Sequence, residues 1–300
     1  MNLELPEKWN HWDFNILNEN NYDQLCVTVL QYFISLVSIE LIGINKSDLL
    51  SYIQTIRRLY RQNHFHNFKH AVCVTHITYM LIKSSPSLKS LLTNSEIFAI
   101  LLSALVHDVD HPGHTNEFEI NAKTHTAIKY KNISVLENHH CFIALQKINE
   151  SGLFLNVSII DRNMINNMII ACIMATDMSL HFDLLDEFRD NKKGKTIGKM
   201  ILHLADLSNP LRPFSISKSW AICLYKEFSD QIRLEEEMGL PISNHLKITS
   251  ESDFYNKEIH FLKTYTEPLL DLFLDWNPYP ELMCLRDNLK WNEQKWNSYL

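Results

Sequence analysis

Glycine and proline are scarce in this 300-residue chain, at six and nine residues. So few turn-formers exclude an architecture of many short strands joined by tight hairpins. The six cysteines, at positions 26, 73, 141, 172, 223 and 284, are scattered and form no Cys-x-x-Cys pair. They read as reduced packing residues of a cytosolic protein rather than a disulfide frame. Positive charge is not in excess either. Lys and Arg number 28 against 35 Asp and Glu, a net charge of −7. That argues against a nucleic-acid polymer as partner, although a small anion needs only a local positive site. Long apolar runs are missing: Ile97 to Val106, broken only by Ser103, is about half of the roughly 20 residues a bilayer span needs. Residues 1–14 have neither the basic start nor the apolar core of a secretory leader. The expectation is a soluble, cytoplasmic chain without membrane contact of its own, whether or not a membrane-anchored parent exists.

What is present is ordinary globular material, 46% hydrophobic and 21% charged. The apolar residues recur at helical spacing. The periodicity predicts helices over Tyr22–Ile42, Lys46–Tyr60 with Ser47 as N-cap, His66–Ser84, Ser95–Val106 and Thr115–Tyr130. Further helices are predicted over Val135–Glu150, Asp161–Phe182, Met200–Ser208, Ser217–Glu237, Ser252–Leu274 and Tyr279–Tyr299. Lys192–Lys195 reads as a solvated loop, and Glu235–Glu237 as a solvated helix face. Trp276, Trp291 and Trp296 read as packing anchors of the last helices. No repeat and no linker-like shift in composition divides the chain. The fold expected is a single all-α domain over residues 1–300.

Chemistry gathers in a few places. His107-Asp108-Val109-Asp110-His111-Pro112-Gly113-His114 packs five proton-moving or metal-binding side chains into eight positions, at the end of the apolar run. Burying so many polar groups is costly unless each has a partner, and a metal ion is the simplest one. His66 and His70, four apart, share one helical face and can bind one ion together or divide ligand and acid roles. Taken alone they read equally well as surface histidines near a helix start. Asp206 lies in an apolar turn with no Lys or Arg one turn away on its helix, so either a cap or a metal would satisfy it. Glu137-Asn138-His139-His140 and Thr176-Asp177-Met178 are two more polar insertions, each also open to a capping explanation.

The set Phe65-His66-Asn67-x-x-His70, His107 to Gly113, Leu136 to His140, Ala175 to Met178 and Ala205-Asp206-Leu207-Ser208-Asn209-Pro210 resembles the class I cyclic-nucleotide phosphodiesterases. The likeness runs from about residue 50 to about 275, with the motifs in family order. Phe65 to Val74 and Ile120 to His140 look most like the high-affinity cyclic-GMP-specific branch. The resemblance implies an enzyme of the histidine-aspartate phosphohydrolase type. By it, His70, His107, Asp108 and Asp206 would hold zinc. Asp108 would bridge to magnesium, or manganese, whose waters His111, Glu137 and Thr176 would orient. It further implies that a hydroxide shared by the two ions attacks the cyclic phosphate. His66 would protonate the departing 3′ oxygen, and an acidic neighbour would have to orient it.

For the base, the family pattern counted from Asn209-Pro210 and Trp220 implies a wall of Leu224 and Phe228, with Asn209 nearby and Phe261 stacking opposite. Pro268 would anchor Phe261. The same count puts Glu258 where the family has a glutamine, and Ile242 to His245 departs from the family's Ser-Pro-Met-like sequence. An ionised glutamate only accepts hydrogen bonds, which suits the adjacent N1–H and N2–H of guanine and favours cyclic GMP over cyclic AMP. The expected partner is a small cyclic nucleotide, with a homodimer left open. Two rivals stand beside this reading: a non-catalytic cyclic-nucleotide sensor, and a phosphohydrolase of the same superfamily acting on another nucleotide.

Overall fold

Thr93 shows how local chemistry starts the central helix. Its hydroxyl accepts the Glu96 N–H at 3.2 Å, while the Glu96 carboxylate accepts the Thr93 N–H at 2.8 Å, a reciprocal capping box. The helix so opened, Asn94–Val106, has every residue from Ile97 to Val106 buried. It can be apolar all round because neighbours cover it on all sides.

The computed structural model describes residues 7–300 and contains, among them, helices and no strand. In chain order the helices are α1 (Tyr22–Leu36), α2 (Lys46–Leu59), α3 (Phe68–Lys83), α4 (Pro86–Leu91), α5 (Asn94–Val106), α6 (Asn116–Asn121), α7 (His125–Lys129) and α8 (Val135–Ser151). There follow α9 (Ile159–Met174), α10 (His181–Asp190), α11 (Lys195–Asp206), α12 (Phe214–Met238), α13 (Glu251–Phe261), α14 (Glu267–Trp276) and α15 (Met283–Asn297). Helix α5 packs against α9 and α3, α11 packs on all three, and α1 covers α2 and α3. One continuous hydrophobic cluster runs through the described residues. No single helix among them is long and apolar enough to cross a membrane. All six cysteines are free.

The all-α expectation holds; its errors are breaks, an unpredicted short helix, α4, and an early start of α11 at Lys195 rather than Met200. The first predicted helix stops at Leu36, and Ile39–Ile42 forms a separate 3-10 turn. That turn buries Ile39 and Ile42 while leaving Leu41 in solvent, so tertiary burial overrides local propensity. Gly43 closes the turn at φ +88°, and a Cβ there would stand 2.2 Å from the Asn156 carbonyl oxygen. Gly43→Ala is therefore expected to destabilise the protein by about 3 kcal/mol, combining left-handed strain and overpacking; urea unfolding checks this.

Thr115–Tyr130 is two short helices because Lys123 takes φ +50° and Thr124 caps anew, its hydroxyl accepting the Ala127 N–H at 3.2 Å. Asp161–Phe182 likewise breaks after Met174, where the Asp177 carboxylate accepts the Ser179 N–H at 2.9 Å. Ser47 is not the cap of α2. Asn45 holds that position, and Ser47 donates to Asp48 inside the first turn. Between α13 and α14 the chain stays helical through a π turn, Leu262–Thr266, just ahead of Pro268, which has no N–H to continue the regular ladder.

Two expectations fail at one residue each, while Glu236 and Glu237 are exposed as expected. Trp276 and Trp296 pack inside as expected, but Trp291 is 52% exposed. Glu235 is buried and faces no solvent. Its carboxylate accepts the Ser243 N–H and hydroxyl at 2.7 Å each and the Gln231 amide at 2.8 Å.

Candidate metal centre and proton donor

Three helix ends meet to build the first half of the site. The Asn67 side chain caps α3 by accepting the Lys69 and His70 N–H groups, which fixes His70 in the first turn. At the other end of its helix, α5 runs out at His107, whose Nδ1–H donates to the Ala104 carbonyl at 3.0 Å. That bond leaves His107 Nε2 free to act as a ligand. Asp206 is the last residue of α11. Asp108 follows α5 in a tight turn that Asp110 completes at φ +62°.

The donor atoms of His70, His107, Asp108 and Asp206 converge within 4.8 Å of one another. The two Nε2 atoms are 3.3 Å apart, and Asp206 Oδ1 lies 3.1 and 3.2 Å from them. Asp108 Oδ2 is 3.1 Å from His107 Nε2 and 3.4 Å from His70 Nε2. Four donors about 2.0–2.1 Å from a common centre would be separated by about 3.4 Å in a tetrahedron, so this spacing fits a small divalent cation. Without one, the cluster rests on charge pairing: burial opposes ionisation, yet the Asp108 and Asp206 carboxylates hold His107 well above its usual range. Both carboxyls are in turn held below theirs, against burial, by His107.

A second, oxygen-rich side adjoins Asp108. Asp108, His111 and His140 also lie within 4.8 Å of one another. His140 donates from Nδ1 to the Val109 carbonyl at 2.8 Å, turning Nε2 towards Asp108 at 3.9 Å. Glu137 is clasped by the Asn116 amide at 3.2 and 2.9 Å. Burial first, then the negative charge of Asp177, pushes the Glu137 carboxyl up to about 7. Crowded carboxylates of this kind suit a hydrated cation. The Thr176 hydroxyl is spent on the Ile173 carbonyl at 2.8 Å, and it is the neighbouring Asp177 that faces Glu137.

His66 sits beside this cluster. Its ring stacks on His111 with centroids 3.9 Å apart and planes 16° from parallel. The Nδ1 atom is in a short hydrogen bond with Glu227 Oε1, from the middle of α12. Glu227 Oε2 accepts the Phe65 and His66 N–H groups at 2.7 and 3.1 Å, so one buried carboxylate fixes both the loop and the ring. Burial alone would lower the His66 pKa, but Glu227 outweighs it and lifts the imidazole to about 8.

This centre lies in a stretch that matches the 3′,5′-cyclic nucleotide phosphodiesterase family over residues 65–289. The chain belongs to that family. Among curated relatives it is 33% identical over 258 residues to the high affinity cGMP-specific 3′,5′-cyclic phosphodiesterase 9A of Mus musculus, covering 81% of this chain and 47% of the relative. It is 31% identical over 277 residues to the probable 3′,5′-cyclic-AMP phosphodiesterase pde-4 of Caenorhabditis elegans, covering 85% and 40%. The chain thus spans less than half the length of these relatives. Among solved structures, the phosphodiesterase domain of Salpingoeca rosetta rhodopsin phosphodiesterase superposes with a TM-score of 0.91 at 31% identity, covering 100% of this chain and 94% of that one.

The residues expected at the base are less tightly grouped. Glu258 is buried and hydrogen-bonded to the Tyr225 hydroxyl, and Tyr225 packs edge-on against Phe228 at 5.8 Å. Phe261 packs on Tyr265, at the π turn, 5.5 Å away. Asn209 opens the 3-10 turn after α11, and Leu224 packs partly buried against the core.

Sequence reasoning did not find Glu227 or Asn116, and it gave no role to Asp177 or His140, which lie in motifs it singled out. A signal for the first existed: Glu227, Gln231 and Glu235 stand four apart in α12, a polar line among residues that also bury Ile232.

Proposed function

We infer that this chain hydrolyses 3′,5′-cyclic nucleotides to 5′-monophosphates. The observation that carries the reading is the meeting of two different devices: a four-donor cation cluster and, beside it, a histidine held ready for protonation by a buried carboxylate. His70, His107, Asp108 and Asp206 would hold zinc, which mixed imidazole and carboxylate donors suit. Asp108 would reach across to magnesium or manganese on the oxygen-rich side, with His111 and Glu137 orienting its waters, Asp177 adding charge, and Thr176, whose hydroxyl proton goes to Ile173, able only to accept from them. The bound pair supplies Lewis acidity and a water nucleophile acidic enough to act near neutral pH.

The chain's own work in the reaction is proton delivery. Attack of a water oxygen on phosphorus breaks the P–O3′ bond, and the departing oxygen needs a proton. Glu227 occupies Nδ1 of His66, which leaves Nε2–H as the donor. The stack of His66 on His111 limits rotation of the ring, so the donor keeps its aim. The decisive test measures hydrolysis of cyclic GMP and cyclic AMP at low substrate concentration, with and without chelator and with added zinc and magnesium. Absence of turnover in the metal-loaded protein would overturn the assignment and favour a sensor.

We assign base choice to Glu258, with Leu224, Phe228, Phe261 and Asn209 around the base. Burial pushes the Glu258 carboxyl up to about 7, while the Tyr225 hydroxyl pulls the other way. Below that pH the group is neutral and both donates and accepts; above it, ionised, it only accepts. The ratio of cyclic-GMP to cyclic-AMP hydrolysis is therefore expected to rise severalfold between about pH 6 and pH 8. Glu258→Gln should make that ratio independent of pH. A ratio that is flat in both proteins, at equal affinity, removes Glu258 from base selection.

A further inference from the structure

The stretch joining the two halves of the carboxylate site, between Asn116 and Glu137, has an unusual surface. No Asp or Glu occurs from Ile120 to Leu136, in a chain whose net charge is −7. Lys123, Lys129 and Lys131 are all exposed, and among the described residues none of them makes an ion pair. Beside them two isoleucines stand in solvent, Ile128 at 68% and Ile133 at 66% exposure. Phe142 of α8, 47% exposed, completes the patch and has the Lys129 ammonium 3.7 Å above its ring.

The backbone is shaped to present these groups. Lys123, Lys131, Asn132 and Ser134 all adopt positive φ, at 50°, 55°, 61° and 38°. Such conformations are costly for residues with a Cβ. Here they reverse the chain on either side of α7 and push Ile128 and Ile133 outwards, while Ala127 alone packs inwards. Two aliphatic tips among unpaired lysines, with an aromatic ring behind, match the interface of a bilayer. There aliphatic side chains enter the acyl boundary and ammonium groups meet lipid phosphates. An acidic peptide would satisfy the lysines but would give the isoleucines no apolar phase to enter.

We propose that the Lys123–Ile133 corner, with Phe142, is a peripheral docking surface for an anionic membrane. Contact there would be reversible, since each lysine near such a surface contributes about a fivefold gain in partition and only two aliphatic tips enter the lipid.

The test is sedimentation of the whole chain with phosphatidylcholine vesicles containing roughly 30% phosphatidylserine, beside vesicles of phosphatidylcholine alone. The wild type should bind the anionic vesicles and not the neutral ones, and should release as salt rises from about 0.1 M to about 0.5 M. Lys123→Gln/Lys129→Gln/Lys131→Gln should lower partition at least about tenfold, and Ile128→Ser/Ile133→Ser severalfold. Unchanged hydrolysis in solution and unchanged thermal melting show that both variants are folded. Failure of the wild type to bind anionic vesicles overturns the proposal, as does binding that survives the lysine changes. Lysine-dependent binding that is indifferent to the isoleucine changes is a purely electrostatic contact and overturns the insertion of Ile128 and Ile133.

Discussion

If the proposed cation site is right, Asp206→Ala is expected to abolish cation binding there and reduce turnover by at least about 10³-fold, the equivalent of several kcal/mol of lost Lewis-acid stabilisation. The size of the effect follows from where Asp206 Oδ1 stands, 3.1 and 3.2 Å from two imidazole nitrogens that are themselves 3.3 Å apart. Remove that oxygen and two buried histidines face each other with only Asp108 between them. The alanine variant loses a donor and the negative charge together. Asp206→Asn keeps one oxygen donor and the shape, so it should retain metal weakly and recover part of the rate at high zinc. Metal analysis of the purified variants, beside helix content by circular dichroism, separates loss of the ion from loss of the fold. Wild-type metal content in Asp206→Ala would refute the ligand assignment.

His66→Ala should behave in the opposite way, with metal content kept and turnover down by about 10²–10⁴, the range for loss of a positioned proton donor. Glu227→Gln is the more searching variant, because it leaves the imidazole in place. Burial works against the protonated ring, and Glu227 reverses that, lifting His66 to about 8. Without bound cations the protonated donor is thus present below about pH 8 and lost above it. Bound cations would offset the Asp108 and Asp206 carboxylates, which leaves Glu227 as the main anionic support of the ring. With glutamine there, the alkaline limb of the rate profile should shift to lower pH and kcat should fall, with KM changing little. An unmoved alkaline limb would show that Glu227 acts only as a clasp for the Phe65 and His66 backbone.

Much of this was readable from residue order alone, and the reasons are local. The apolar run of α5 had to be a buried helix, and a buried helix that ends in His107-Asp108 had to find polar partners. Helix breaks were harder to read, because Thr124 and Asp177 stop helices with their side chains while remaining compatible with helical periodicity. Glu227 was hidden by distance: it lies 161 positions from His66, and nothing in either stretch announces the pairing. Glu235 was misread because three acidic residues in a row look solvated. Only the Ser243 loop folding back over α12 shows that the first of them is enclosed.

Helix α12 carries Leu224, Glu227, Phe228, Gln231 and Glu235 on one stripe, as their spacing of three and four requires. Gln231 accepts the Thr115 N–H at 2.8 Å, so the stripe also reaches the turn that presents Asn116 to Glu137. One added or deleted residue early in α12 would rotate everything after it by about 100° and detach these holders together. The helix is therefore a ruler whose length upstream of Glu235 cannot drift.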